Sequence, residues 1–289
     1  MTTGTERPPI WPRRASAKEQ KQQTAERRIP SKAYDRAFFL SPVLEGYDEF
    51  LSGELSVVKA RQVQMLDIAP GTSLLEIGYG RGELLLHCAK RGARVAGVDY
   101  ADEACVIARE TLSDFPDSDV RVADCRDLPF ESDSFDRVFS GDVIEHMPFE
   151  DAVEMLREMY RVTRPGGFML VKTTPNTVFV RYVYPWMRPV LSLIDRNGVR
   201  RIDDQLEVMR RLHVDEYNTF SYRRTARQAG LKGFRVWIDP DVTRSNRHQY
   251  SERFARSRLV RAVAWFGRLS FVRFFLGNDL YLRCDKPQQ

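Results

Sequence analysis

From Gly71 onward, short apolar runs alternate with amphipathic stretches, and this alternation constrains the fold more than any other property of the chain. "SLLEIG" reads as a strand, "ELLLHCAKR" as a helix closed by Gly92, "ARVAGVD" as a strand and "DEACVIARETL" as a helix. "DVRVADC", "FDRVFSG" and "FMLVKTT" are further strands, and "FEDAVEMLREMYRVT" is a helix stopped by Pro165-Gly166-Gly167. Apolar strands joined by helices bury both faces of a parallel sheet, with right-handed crossovers, so the expected class is α/β. After Asn176 an aromatic, arginine-rich insertion (residues 177–212) interrupts the pattern. It resumes with the helix "TFSYRRTARQAGL" and the strands "GFRVWID" and "DLYLRCDK". A second insertion, residues 241–277, separates those two strands, which are expected to close the sheet as an antiparallel hairpin.

Residues 1–32 carry 8 basic and 3 acidic side chains and almost no apolar periodicity. They cannot offset the entropy of ordering and are expected to form a disordered basic arm. Residues 33–70 have aromatic and aliphatic side chains at mixed three-and-four spacing, which predicts a cap of two or three short helices ending near Pro70. Residues 71–289 then form one domain with its core at 71–176 and 213–289. No apolar run is long enough to span a membrane, and the pairs Arg13-Arg14 and Arg27-Arg28 precede no apolar segment, so a cytoplasmic protein is expected. Cys88, Cys105, Cys125 and Cys284 show no C-x-x-C spacing, which favours reduced thiols over a disulfide framework or a zinc site.

Gly78, Gly80 and Gly82 in "LLEIGYGRGE" lie at a strand-to-helix turn, where backbone N–H groups and a helix dipole favour an anion. The spacing is G-x-G-x-G. The dinucleotide fingerprint needs G-x-G-x-x-G, and Glu83 occupies the position of its last glycine. Glu76 and Glu83 bracket the turn and would oppose a pyrophosphate by about 1 to 4 kcal/mol per close pair. The same carboxylates attract a ligand carrying an ammonium and a sulfonium. S-adenosylmethionine has that charge distribution, with a carboxylate for the turn and no phosphate. Asp99, ending the second strand 17 residues after Gly82, suits both ribose hydroxyls, and Asp124, ending the third strand, suits the adenine amino group.

Four segments in order, "LLEIGYGRGE", "GVDYADEACVIARE", "VADCRDLPFESDSFDRVFSGDVIEHM" and "MYRVTRPGGFMLVKTTPN", resemble the class I S-adenosylmethionine-dependent methyltransferases, within them the ubiquinone-biosynthesis-like small-molecule and glycan branch. "HVDEYNTFSYRRTARQAGLKGFRV" resembles that family's return helix and strand, and "YDRAFFLSPVLEGYDEF" loosely resembles methyltransferases of surface-glycan and secondary-metabolite pathways. The resemblance implies a Rossmann-like sheet, mostly parallel with a closing antiparallel hairpin. It also implies cofactor contacts at Glu76, Gly78, Gly80, Gly82, Asp99, Asp124 and Asp142, with neighbouring Tyr79, Tyr100 and Cys125 in the same site. Tyr79 departs from the family, which usually has a small residue between the first glycines, and its ring would crowd or stack on the cofactor. "VIEHM" and "TTPN" resemble the branch that methylates oxygen, so the expected acceptor is a hydroxyl of a small molecule, sugar or lipid-linked glycan; carbon and nitrogen acceptors stay open.

Methyl transfer is an in-line displacement, so alignment matters more than a set of catalytic groups. His146, just beyond the fourth strand, is the candidate to take a proton, helped by Glu145; alternatively it orders the loop. Asp142, Glu145 and His146 stand at i, i+3 and i+4 and would converge on a divalent ion if helical, but such short sets are common and no metal is expected. Tyr34, Tyr47 and His213 are candidate substrate contacts, Tyr34 and Tyr47 as aromatic walls from the cap.

Net charge divides into +5, −11 and +11 over residues 1–32, 33–174 and 175–289. Within residues 252–276, Arg253, Arg256, Arg261 and Arg268 share one helical arc, with Phe254, Leu259, Val263, Trp265, Phe266 and Leu269 mostly opposite, and Arg258 breaks the pattern. Together with residues 178–194 this is the composition either of a substrate lid with solvated arginines or of a peripheral membrane contact. Methylation of RNA is a second enzymatic reading, disfavoured because no RNA-binding module is evident. A cofactor-binding scaffold is the reading without catalysis.

Overall fold

Residues 22, 24–42, 44–241 and 258–288 are described in a computed structural model of the chain. Its strands are β1 (Ser73–Ile77), β2 (Arg94–Asp99), β3 (Asp119–Val122), β4 (Phe135–Gly141), β5 (Thr163–Thr173), β6 (Arg235–Ile238) and β7 (Leu280–Asp285). They form one sheet in the order β3-β2-β1-β4-β5-β7-β6. The pairs from β3 across to β5 are parallel, and β7 is antiparallel to both β5 and β6. The last strand therefore inserts inside the sheet and leaves β6 at the edge. The parallel part is the sheet expected from the alternation, and the whole is the Rossmann-like arrangement that the resemblance implies.

β1 is buried along its whole length because both faces are covered, whereas β3 at the sheet edge is largely exposed. Leu74 of β1 packs under α1 (Val57–Leu66), α2 (Glu83–Ala89) and α3 (Asp102–Thr111), while Leu75 and Ile77 face α4 (Phe149–Val162) and α5 (Thr219–Gln228). Asn218 begins α5 with a reciprocal cap, accepting from the backbone N–H groups of Phe220 and Ser221 while Ser221 Oγ accepts from the Asn218 N–H. The expected stop at Pro165-Gly166-Gly167 takes another form. β5 already begins at Thr163, and the register jumps from Phe135↔Thr163 to Arg137↔Phe168, so the triplet is a bulge inside the strand. A Cβ on Gly167 would lie 2.6 Å from the Asp136 carbonyl, which explains why the bulge needs glycine there.

Before β1 come short helices at Arg36–Phe39 and Tyr47–Leu51 and then α1, started by Asp35 and Ser56 side chains that accept backbone N–H groups. The arm expected to be disordered to residue 32 is ordered from Thr24: Arg27 pairs with Asp215 at 2.6 Å and Arg28 with Asp151 at 2.7 Å. Its earlier part, residues 1–21 and 23, lies outside the described residues, as do Arg253, Phe254 and Arg256 of the second insertion. The first insertion forms a π-turn (Phe179–Val183) leading into α6 (Tyr184–Ile194), then α7 (Arg196–Leu212). The described part of the second forms α8 (Arg258–Phe266) and α9 (Ser270–Leu276). Among the described residues no helix is long and apolar enough to cross a membrane. All four cysteines are free thiols.

Candidate functional site

Two cavities lie beyond the carboxyl ends of the parallel strands, where open α/β sheets bind ligands. Gly78, Gly80, Asp99, Tyr100, Asp124 and Cys125 line the first, which the cap closes with Tyr34, Phe38 and Phe39 and the arm with Arg28 and Ile29. Lys172, Thr174, His213 and Asn278 line the second, under apolar side chains of α7 and of the π-turn. Phe38, Asp142 and His146 belong to both walls, so the cavities meet there.

The three turn glycines have φ of +73°, +52° and +78°, a region other residues enter only under strain. Gly78 has a second reason: a Cβ would stand 2.2 Å from Val143 Cγ2 on the β4 loop. Gly82 lies outside the cavity wall and serves helix packing, since its Cβ would meet Ala108 Cβ at 3.1 Å. Asp99 holds the turn in place. One carboxylate oxygen accepts the Gly80 N–H at 3.1 Å and the other the Ala101 N–H at 3.0 Å, while burial pushes its pKa up to about 6. The Tyr100 backbone also hydrogen-bonds to it, and the residue faces the cavity.

Three expected site residues besides Gly82 are elsewhere. Tyr79 points away from the cavity: its ring is buried over Gly97, where a Cβ would lie 2.5 Å from Tyr79 Cδ1, and its hydroxyl donates to the Arg121 carbonyl at 3.2 Å. The tyrosine thus fills a core position, and the small partner it requires is on β2. Glu76 is buried beneath the turn, with Oε2 lacking a hydrogen-bond partner among the described residues, and burial raises its pKa. Tyr47 lines neither cavity. Glu83 also behaves differently from the expectation that its charge would attract the ligand. Lys59 and Arg81 both pair with it, and although burial opposes ionisation the two cations hold its pKa down to about 2.

Asp124 is engaged by Arg126, which lowers its pKa. Arg126 and Arg28 both reach Asp151, at 3.1 and 2.7 Å, so an alternating-charge chain frames that end of the first cavity. Cys125 lines the same wall, with its thiol pushed up to about 12 by burial. Tyr100 donates to the Ile29 carbonyl at 3.3 Å and stands edge-on to Tyr34 at 5.5 Å.

At the junction, Asp142 adopts φ +55° and accepts from Lys172 Nζ with both oxygens, at 2.8 and 2.6 Å. Asp279 approaches the same ammonium at 3.3 Å, and its own carboxyl is pushed up to about 6 by burial. Glu145 is buried and accepts from Thr173 Oγ1 at 2.9 Å and from the Thr174 N–H at 3.4 Å, locking the β4 loop to β5. His146 Nδ1 is 3.0 Å from the Tyr34 hydroxyl, and burial lowers its pKa to about 3, so the ring is neutral at physiological pH. His213, far away in sequence, packs edge-on against His146 with ring centroids 4.8 Å apart. Glu145, His146 and His213 bring ligand atoms within 4.8 Å of one another. This differs from the Asp142, Glu145, His146 set read from spacing, because Lys172 takes Asp142. Local sequence gave no sign that Arg28, Val143 or Lys172 would serve the site. Arg81 alone carried a signal, a cation inside the glycine turn; it donates to the Phe39 and Glu45 carbonyls at 3.3 and 2.9 Å and ties the cap to that turn.

Residues 75–171 match the family model described as "Methyltransferase domain". The sheet order and the glycine turn agree with that match. Residues 75–171 are thus similar to a methyltransferase domain, and the sheet around them has the fold of class I S-adenosylmethionine-dependent methyltransferases. The chain is 35% identical over 145 residues to phosphoethanolamine N-methyltransferase 2 of Caenorhabditis elegans, covering 48% of this chain and 30% of that protein. It is 28% identical over 130 residues to the ubiquinone/menaquinone biosynthesis C-methyltransferase UbiE of Geotalea daltonii, covering 42% of this chain and 54% of that protein. The chain thus spans about a third to a half of the length of these two curated relatives. In fold it is similar to phosphoethanolamine N-methyltransferase 2 of Haemonchus contortus in complex with S-adenosyl-L-methionine (TM-score 0.59, 18% identity, covering 90% of this chain and 60% of that one).

Proposed function

We propose that this chain transfers a methyl group from S-adenosylmethionine, held in the first cavity, to a nucleophile on an amphiphilic small molecule held in the second. The observation carrying this reading is that the cavities meet at Phe38, Asp142 and His146. The residues of the first cavity suit the cofactor. Gly78 and Gly80 leave the turn open to a carboxylate, and Asp99, lining the cavity, suits the ribose hydroxyls. Asp124 frames the far end, and the faces of Tyr34 and Phe38 suit a sulfonium. When bound, the cofactor supplies an electrophilic methyl whose positive charge disappears on transfer.

The chain's own part is orientation and proton management. Apolar side chains such as Phe179, Ile202, Leu206 and Met209 suit the nonpolar body of an acceptor, and Lys172, His213 and Asn278 its polar end. His146 is neutral, with Nδ1 held by the Tyr34 hydroxyl and the ring also engaged by the Leu212 backbone. Burial makes it a weak base, and it takes a proton from an acceptor hydroxyl by exchanging the Tyr34 hydrogen bond for one to the acceptor. An oxygen acceptor is the first reading. A carbon or nitrogen acceptor is the second, favoured by the names of the two curated relatives, a C- and an N-methyltransferase.

Radiolabelled methyl transfer into fractionated extract tests the reaction and identifies the acceptor atom from the labelled product. Label is expected in a small-molecule or lipid fraction; calorimetric cofactor binding with no labelled product in any fraction would favour the scaffold reading instead. His146→Ala is expected to cost about 10² to 10⁴ in turnover as a lost general base. A variant turning over like the parent from about pH 6 to 9 would remove His146 from proton transfer and leave it ordering the loop.

A further inference from the structure

Residues 178–194 and 258–276 expose large apolar side chains that the catalytic reading does not use. In α6, Tyr184 and Leu191 turn inward, whereas Trp186 is 83% exposed and Leu193 89%, with Val190 and Ile194 also exposed. In the second segment Trp265, Phe266, Leu269 and Phe271 are exposed, Phe271 at 76%. The two segments adjoin. Asn176 Nδ2 donates to the Phe274 and Gly277 carbonyls at 3.3 and 2.9 Å, and α9 packs on the π-turn. Arg181, Arg258, Arg261, Arg268 and Arg273 fall within these two stretches, neither of which contains an Asp or Glu, while Arg188 is paired with Asp203 of α7 at 2.7 Å.

We propose that these two segments dock the chain on the surface of an anionic lipid bilayer. Exposed Trp, Phe and Leu beside arginines match the interfacial region, where apolar side chains enter the acyl boundary and cations meet the headgroups. α6 has 11 residues, too few to cross, so it lies in the plane of the surface. Single-stranded RNA fits this face less well, because Val190, Leu193, Ile194 and Leu269 offer no ring for base stacking. A second copy of the chain would set these arginines against their own kind. Phe179 and Val180 of the same segment line the second cavity, so the acceptor would be drawn from the bilayer; that clause rests on the proposed function, and the docking does not.

The test is sedimentation of the full chain with vesicles of phosphatidylcholine alone or mixed with phosphatidylglycerol. Binding is expected to the mixed vesicles and to weaken with salt. Arg258→Gln, Arg261→Gln and Arg268→Gln are each expected to weaken it, by about fivefold per arginine removed. The double variant Trp186→Ser, Leu193→Ser is expected to weaken it as well, with melting temperature and cofactor-analogue binding unchanged. No sedimentation with mixed vesicles, or binding indifferent to both sets of substitutions, overturns the proposal. So does RNA binding or self-association that responds to these substitutions in place of vesicle binding. Vesicle binding needs no methyl acceptor, so its failure leaves the methyl-transfer reading standing.

Discussion

Asp99 gives the sharpest handle on the first cavity, because its pKa of about 6 lies within reach of ordinary buffers. Burial raises it from the usual carboxylate range, and the N–H groups of Gly80 and Ala101 hold the shift down. The folded pKa is above the unfolded one, so burial costs stability as pH rises from about 4 to about 6, roughly 3 kcal/mol in full. Cofactor hydroxyls donate best to the ionised form, so binding is expected to strengthen over the same window and to release a proton. At pH 5 about one carboxyl in eleven is ionised, and the apparent affinity for a cofactor analogue is expected to be about tenfold weaker than at pH 7.5. Calorimetry in buffers of different ionisation enthalpy measures both affinity and the released proton. Asp99→Asn is expected to bind more weakly at pH 7.5 and to lose the pH dependence. Asp279 also titrates near 6, on the acceptor side, so the comparison with Asp99→Asn isolates the right group. A flat affinity from pH 5 to 7.5, or a slope that survives in Asp99→Asn, would refute the assignment.

Two further outcomes follow from the turn. Gly78→Ala combines left-handed backbone strain of about 1 to 2 kcal/mol with overpacking of about 1 to 3 kcal/mol against Val143, and a fall of roughly 2 to 4 °C per kcal/mol is expected in thermal melting. Adding Val143→Ala is expected to recover the packing part only; single and double variants that melt together would leave the clash without consequence. Glu83→Gln removes the carboxylate that Lys59 and Arg81 share and is expected to cost about 3 to 5 kcal/mol. Because the Glu83 pKa is lowered to about 2, its contribution is present above the usual carboxylate range and lost as pH falls toward that value. The stability gap between parent and variant, read by denaturant titration, should therefore narrow between about pH 5 and pH 2, and a constant gap would contradict the ion-pair account.

The sequence by itself determined the sheet and its chemistry of approach. Apolar strands with helices between them have only one economical packing, and glycines at a strand end followed by Asp99 specify an open turn with an acid beside it. These are local signals, carried by neighbours along the chain. Tertiary structure decided what local signals cannot carry: which charges remain free and which side chains meet. Glu83 reads as a ligand-facing carboxylate until Lys59 folds over it. Tyr79 reads as crowding the cofactor until Gly97 on the next strand gives its ring a place in the core. His213 comes to lie against His146 because the return segment is pinned by the Glu145 carbonyl, which accepts from the N–H groups of Val214 and Asp215 at 2.8 and 3.2 Å. In each case the deciding partner lies on another element, and spacing along one segment has no means of specifying it.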